Sequence, residues 1–219
     1  MGQRILYEKI DKTKIANLPL VIFEGKIWVI DSLLETEKAV DFLRKQSVVG
    51  IDTETRPSFR RGVTYKVSLL QVATEEICFL FRLNHTGMPS CLVQLLQDSA
   101  VCKVGLSLRD DFQRLRELTD LQVANYVDLQ QKAAQMGLKD MSLQKLYANF
   151  FGRKISKRQR LSNWEADVLT DSQKKYAATD AWACIKLYKE MCQLMETHDY
   201  RLLCQYTASE YQIQQETTN

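Results

Sequence analysis

The sequence has little histidine, no paired-cysteine motif and no long apolar run. Its two histidines, His85 and His198, lie far apart, and neither neighbours another plausible ligand. That argues against a histidine-rich metal site and against a Ser-His or Cys-His nucleophile. The six cysteines form no C-x-x-C pair and several sit in apolar surroundings, so free thiols in a reducing cytoplasm are expected rather than disulfides or zinc. No stretch reaches the roughly 18 uninterrupted apolar residues of a membrane helix. The opening residues, MGQRILYEKIDKTKIANL, lack the apolar segment of an export signal. A soluble cytoplasmic protein with no membrane partner is expected, and any catalysis should rest on carboxylates.

A chain of 219 residues with 45% apolar and 26% charged residues suits one well-buried domain with appendages. The expected division is a core over about 28–196, an N-terminal leader over 1–27 and a polar C-terminal tail over 197–219. There is no internal repeat or low-complexity tract. The net charge of +3 is mild, but its distribution is uneven. Residues 153–160, RKISKRQR, hold Arg153, Lys154, Lys157, Arg158 and Arg160 with no acid among them, and Arg56, Arg60, Arg61 and Lys66 form a second basic group. Such runs are either solvated surface or phosphate contacts.

Periodicity predicts strands at 26–30, 48–54, 66–74, 77–81, 101–105 and 125–129, the third and fourth forming a hairpin around Glu75-Glu76. Helices are predicted near 36–46, 89–97, 106–118, 129–136 and 142–151, with Ser32-x-x-Glu35 as a capping box for the first. A long helix should follow Leu169, start on the box Thr170-x-x-Gln173 and run to about Glu196. The leader reads as extended, and residues from about 199 onward as a short helix with a frayed end. Strands interleaved with helices in this order give an α/β class with a mixed sheet.

The candidate chemistry begins at Ile51-Asp52-Thr53-Glu54-Thr55. On a strand, Asp52 and Glu54 project from one face, where two acids repel and a hard cation offsets the repulsion. The plain alternative is an exposed strand end. Asp111 borders the apolar stripe of Leu108, Phe112 and Leu115 in the 106–118 helix, whereas Asp110 points elsewhere. Asp180 interrupts the apolar stripe of the last helix, with Tyr176 one turn earlier on the same face. An aspartate buried there needs a partner.

These three stretches, IDTET, VGLSLRDD and YAATD, resemble the exonuclease motifs of the DEDD superfamily, tyrosine subclass. LSNW and YAATDAWA look most like Werner-type and ribonuclease D-type exonuclease domains. The resemblance covers about 28–195. It implies a ribonuclease H-like fold, a mixed five- to six-stranded sheet flanked by helices, and a stand-alone 3′-5′ exonuclease acting on single-stranded nucleic-acid ends, DNA or RNA. It also implies two divalent ions, Mg²⁺ or Mn²⁺, held by Asp52, Glu54 and Asp180 and by Asp52 with Asp111, while Tyr176 orients or helps deprotonate the attacking water. Products would be nucleoside 5′-monophosphates. Thr53, Arg158, Arg160 and Trp164 are candidate substrate contacts. Trp164 reads equally as a core residue, and Arg158 and Arg160 equally as solvated loop. The alternative function is a non-catalytic nucleic-acid-binding module on the same fold, though such a relative should have lost an acid.

Overall fold

The computed structural model describes residues 3–204. In chain order the elements begin with β1 (Arg4–Tyr7), α1 (Lys12–Ala16), β2 (Lys26–Ile30), α2 (Leu33–Leu43), β3 (Val48–Thr55), β4 (Val67–Ala73) and β5 (Ile77–Arg82). There follow α3 (Leu83–Thr86), α4 (Ser90–Gln97), β6 (Cys102–Gly105), α5 (Leu108–Arg116), β7 (Tyr126–Asp128) and α6 (Leu129–Gln135). The last are α7 (Leu143–Phe151), α8 (Asp171–Thr197) and β8 (Tyr200–Leu203).

Six strands form one mixed sheet in the order β2-β5-β4-β3-β6-β7. The middle is antiparallel, β3 to β4 through the loop 56–66 and β4 to β5 through a tight turn. At the turn between β4 and β5, the Thr74 hydroxyl accepts the N–H groups of Glu76 and Ile77 at 3.3 and 3.0 Å, which lets two glutamates stand where glycine or asparagine is usual. β6 pairs in parallel with β3, β7 with β6 across the helical crossover of α5, and β2 in parallel with β5 at the other edge. Every residue of β4 is buried, so this strand is covered on both faces.

α2, α4 and α5 pack one face of the sheet around Val40, Leu43, Leu92, Leu95 and Phe112, and α8 with α6 and α7 covers the other. The expected capping of α2 is present but not reciprocal. Ser32 accepts the Glu35 N–H at 3.4 Å and gives its own proton to the Glu35 carboxylate at 2.8 Å, and the helix starts three residues earlier than its apolar stripe suggests. On α8 both halves of the Thr170–Gln173 box form.

Two expectations at the ends differ. The leader holds a strand and a short helix, and β1 pairs in parallel with β8, Arg4 opposite Tyr200, so residues 200–203 are strand rather than helix. The pairing joins segments almost 200 residues apart, beyond the reach of local periodicity. The rest of the expected C-terminal helix, 205–219, lies outside the described residues. Among the described residues no helix is long and apolar enough to cross a membrane, and all six cysteines are free.

Candidate active site

β3 supplies the first two acids. Its alternation sends Val49 and Ile51 into the core beneath α2 and α4, and turns Gly50, Asp52 and Glu54 to the α8 face. There α8 comes very close: a Cβ on Gly50 would stand 2.0 Å from the Ala181 carbonyl oxygen and 2.8 Å from Ile185 Cγ1. Only glycine leaves that room, and the buried Ala177, Ala178 and Ala181 keep the facing side of α8 thin. The approach delivers Asp180 to β3. One carboxylate oxygen from each of Asp52, Glu54 and Asp180 lies within 4.8 Å of the others.

The fourth acid comes from α5. Ser107 adopts a left-handed conformation, φ 61°, where the chain leaves β6. Its N–H and that of Leu108 donate to the Asp128 carboxylate at 3.2 and 2.9 Å. Asp128 closes β7 and also accepts the Gln130 N–H at 2.9 Å, so one carboxylate fixes the starts of both α5 and α6. Held this way, α5 turns Asp111 toward β3, where it accepts a hydrogen bond from the Thr53 hydroxyl. Asp110 is exposed to solvent.

Electrostatics show how closely the acids meet. Burial pushes Glu54 up to about 9, and the charges of Asp180 and Asp111 add to the rise while Arg160 opposes it. Burial raises Asp180 to about 7 against the Tyr176 phenol and Lys157, both of which favour its ionised form. Asp111 rises to about 6, again through burial, with Thr53 and Arg114 pulling the other way. Asp52 lies well above the carboxylate range, through burial and then through Asp111, Asp180 and Glu54. One oxygen of Asp180 is buried without a hydrogen-bond partner. Four carboxylates that resist ionisation together, one with an unpartnered oxygen, are a donor set suited to a hard divalent cation. The Tyr176 phenol is raised far out of its usual range by burial and by these neighbours, so it keeps its proton and can donate it to a neighbouring oxygen.

The remaining candidates divide. Trp164 is fully buried, tilted against Tyr176 with ring centroids 6.0 Å apart, and packs among Phe23, Leu69 and Leu169. It offers no free face to a base, which corrects the stacking role in favour of the core reading. It is held there because Arg82, itself buried, donates to the carbonyls of Ala166 and Asp167, and Gln173 donates to that of Asn163 at 3.1 Å. Arg158 and Arg160 are exposed, Arg158 beside Tyr176 and Arg160 near enough to Glu54 to favour its ionised form. Lys157 does the same for Asp180.

Sequence reasoning did not single out Lys157, Gly50 or Asp128 for the site. Of these only Asp128 carried a local signal, an aspartate closing a predicted strand just ahead of a predicted helix.

Comparison with known proteins decides the family. Residues 27–196 match the model of a family described as 3′-5′ exonuclease. The chain belongs to this 3′-5′ exonuclease family. It is 32% identical over 201 residues to an Arabidopsis thaliana protein named 3′-5′ exonuclease, covering 84% of this chain and 70% of that one. It is 30% identical over 191 residues to the mouse bifunctional 3′-5′ exonuclease/ATP-dependent helicase WRN, covering 83% of this chain but only 14% of that protein. Among solved structures, the Aedes aegypti Nibbler EXO domain superposes with a TM-score of 0.73 at 20% identity, covering 83% of this chain and 94% of that one. Escherichia coli RNase D does so with a TM-score of 0.68 at 21% identity, covering 81% and 52%. The fold is thus the ribonuclease H-like fold of the DEDD exonucleases, and the enzyme class is nuclease. The acid cluster is compatible with the divalent metals that the exonuclease family uses.

Proposed function

We propose that this chain is a single exonuclease domain, with its core at about 28–196, that removes nucleoside 5′-monophosphates one at a time from single-stranded 3′ ends of DNA or RNA. The observation that carries this reading is the meeting of Asp52, Glu54 and Asp180 within 4.8 Å, with Asp111 tied to the same strand through Thr53. Asp52, Glu54 and Asp180 would hold one divalent ion, and Asp52 with Asp111 the second, Mg²⁺ or Mn²⁺. Such ions would offset the charge that develops on the attacking and leaving oxygens of an in-line displacement.

The protein's own groups do the rest. Glu54 and Asp52, the acids raised furthest, would give up their protons more readily against added positive charge, so loading would complete the site's negative charge. Tyr176, holding its proton beside Asp180, would orient the attacking water or a phosphate oxygen by donation. Arg158, which lines a hollow with Tyr176, and Arg160, whose charge favours ionised Glu54, would contact the phosphates of the terminal nucleotides. Thr53 orients Asp111. A Trypanosoma brucei RNase D with this fold, TM-score 0.67 at 18% identity, is known in complex with RNA U12, which supports a nucleic-acid strand as the substrate class. Six free thiols fit action in a reducing compartment such as the cytoplasm.

The test is product analysis over time on 5′-labelled single-stranded DNA and RNA of one sequence, with Mg²⁺, with Mn²⁺ and with chelator. A ladder shortening from the 3′ end is expected, absent with chelator and in Asp52→Ala, whose circular dichroism should match the parent. Loss of one ligand should remove several kcal/mol of transition-state stabilisation, about 10³-fold in rate. Binding without cleavage in every metal tested would leave a nucleic-acid-binding module instead.

A further inference from the structure

One groove beside the site is built in part by residues that precede the family match, which begins at residue 27. The segment 10–21 is fastened to the domain by long-range bonds. The Ile10 N–H donates to Asp140 at 2.7 Å, Lys154 Nζ donates to the Ala16 carbonyl, and Pro19 and Val21 exchange backbone hydrogen bonds with Lys154 at 2.9 Å each. Ile10 and Ile15 pack against Ala148 of α7.

Between this segment, the start of α7 and the basic run lies a cavity of about 660 Å³, lined by Lys12, Lys145, Lys154, Lys157 and Arg158 and by no acid. Lys145 pairs with Asp140 and Lys154 with Ala16, so their charges are committed to holding the fold. Lys12, Lys157 and Arg158 are exposed and form no ion pair among the described residues. Cations converging without a counter-carboxylate repel one another, and a polyanion is the complementary occupant. A second hollow of about 160 Å³ shares Leu20, Ile155 and Arg158 with the first and reaches Tyr176. The two make one track from α1 to the phenol beside Asp180.

We propose that this track carries the sugar-phosphate backbone of the single-stranded substrate upstream of its 3′ end, with Lys12 as the distal phosphate contact. The proposal rests on the exonuclease reading for the position of the 3′ end. It makes the N-terminal segment a substrate-binding element, and it predicts that affinity grows with strand length until Lys12 is reached. Leu20, 45% exposed, supplies apolar surface for sugars and bases along the way.

The experiment compares parent, Lys12→Glu and the milder Lys12→Gln for binding of a long single-stranded oligonucleotide and of a dinucleotide, in chelator so that nothing turns over, across a salt series. With Lys12→Glu the dissociation constant of the long strand should rise several-fold and the slope of log K against log salt should shrink by about 0.7. Dinucleotide binding, and dinucleotide cleavage with Mg²⁺, should be unchanged, and Lys12→Gln should fall between. Equal losses on long and short substrates, or an unchanged constant and slope for the long strand, would overturn the proposal. So would the length-dependent loss appearing instead in Arg61→Glu, on the 56–65 loop that carries the exposed Phe59. A parent protein that binds in this length-dependent way but never cleaves would sink the nuclease reading and leave the track standing.

Discussion

The Thr53 hydroxyl, on β3 between the two acids of that strand, donates to the carboxylate of Asp111 on α5. This one bond ties two elements that approach the site from different parts of the chain, and it aims the fourth acid at the other three. Thr53 thus fixes the orientation of Asp111.

Thr53→Val keeps the shape and removes the donor. Activity should fall about 10–100-fold, as for other residues that orient metal ligands, and metal titration should show weakened binding. Thr53→Ser should restore most of both. Equal activity in the valine and serine variants would show that the bond is idle.

The raised acids make stability depend on pH, with a sign opposite to that of ordinary paired carboxylates. Unfolded carboxyls titrate near 4, whereas Asp111, Asp180 and Glu54 hold protons up to about 6, 7 and 9 in the fold. Across that window the folded state binds more protons than the unfolded one, so the metal-free protein must lose stability as pH rises. With roughly 2–4 °C of Tm per kcal/mol for a chain of this size, a fall of about 10 °C or more is expected in chelator between about pH 5 and about pH 9. Mg²⁺ should bind more tightly as pH rises, releasing protons, and its stabilising effect should widen over the same range. Thermal scans in chelator and in Mg²⁺ check both. A Tm in chelator that climbs with pH would mean that the acids do not meet as described.

Tyr176→Phe removes a donor whose own proton is held too tightly to titrate near neutrality. Turnover should drop by about 10²-fold or less, metal affinity should hold, and the alkaline side of the pH–rate profile should keep its position. A profile whose alkaline limb disappears in the variant would instead make the phenol a titrating base.

Gly50→Ala places a methyl against the Ala181 carbonyl of α8. Overpacking of this kind costs about 1–3 kcal/mol, and the relief available is for α8 to move away from β3, carrying Asp180 with it. Thermal melting should show a modest loss and metal-dependent cleavage a much larger one. Losses in proportion would mean that the close approach matters for folding alone.

Much of the fold was legible because its signals are local. The capping box at Thr170, the apolar stripe of α5 and the apolar run of β3 are read over one or two turns or a few alternations, and each element formed within a few residues of its expected place. Trp164 was not legible, since a tryptophan between a basic run and a helix start reads equally as core or as surface. Its burial depends on Arg82 and Gln173 drawing the 163–167 segment onto the sheet. The β1–β8 pairing and the docking of residues 10–21 were invisible for the same reason, being contacts between segments separated by well over a hundred residues.

By itself the sequence determined which side chains share a face: Asp52 with Glu54 through the two-residue period of a strand, and Tyr176 with Asp180 through the turn of a helix. Those are properties of backbone geometry and need no partner. Only the tertiary structure decided that the two faces meet, because that depends on how near α8 can come to β3, and Gly50 sets the distance. It likewise brought Asp111, which the helical stripe already set apart from Asp110, up to β3 through the turn at Ser107 that Asp128 holds from another strand, and it laid Lys12 beside the basic run. Such choices rest on long-range packing, which no local period encodes.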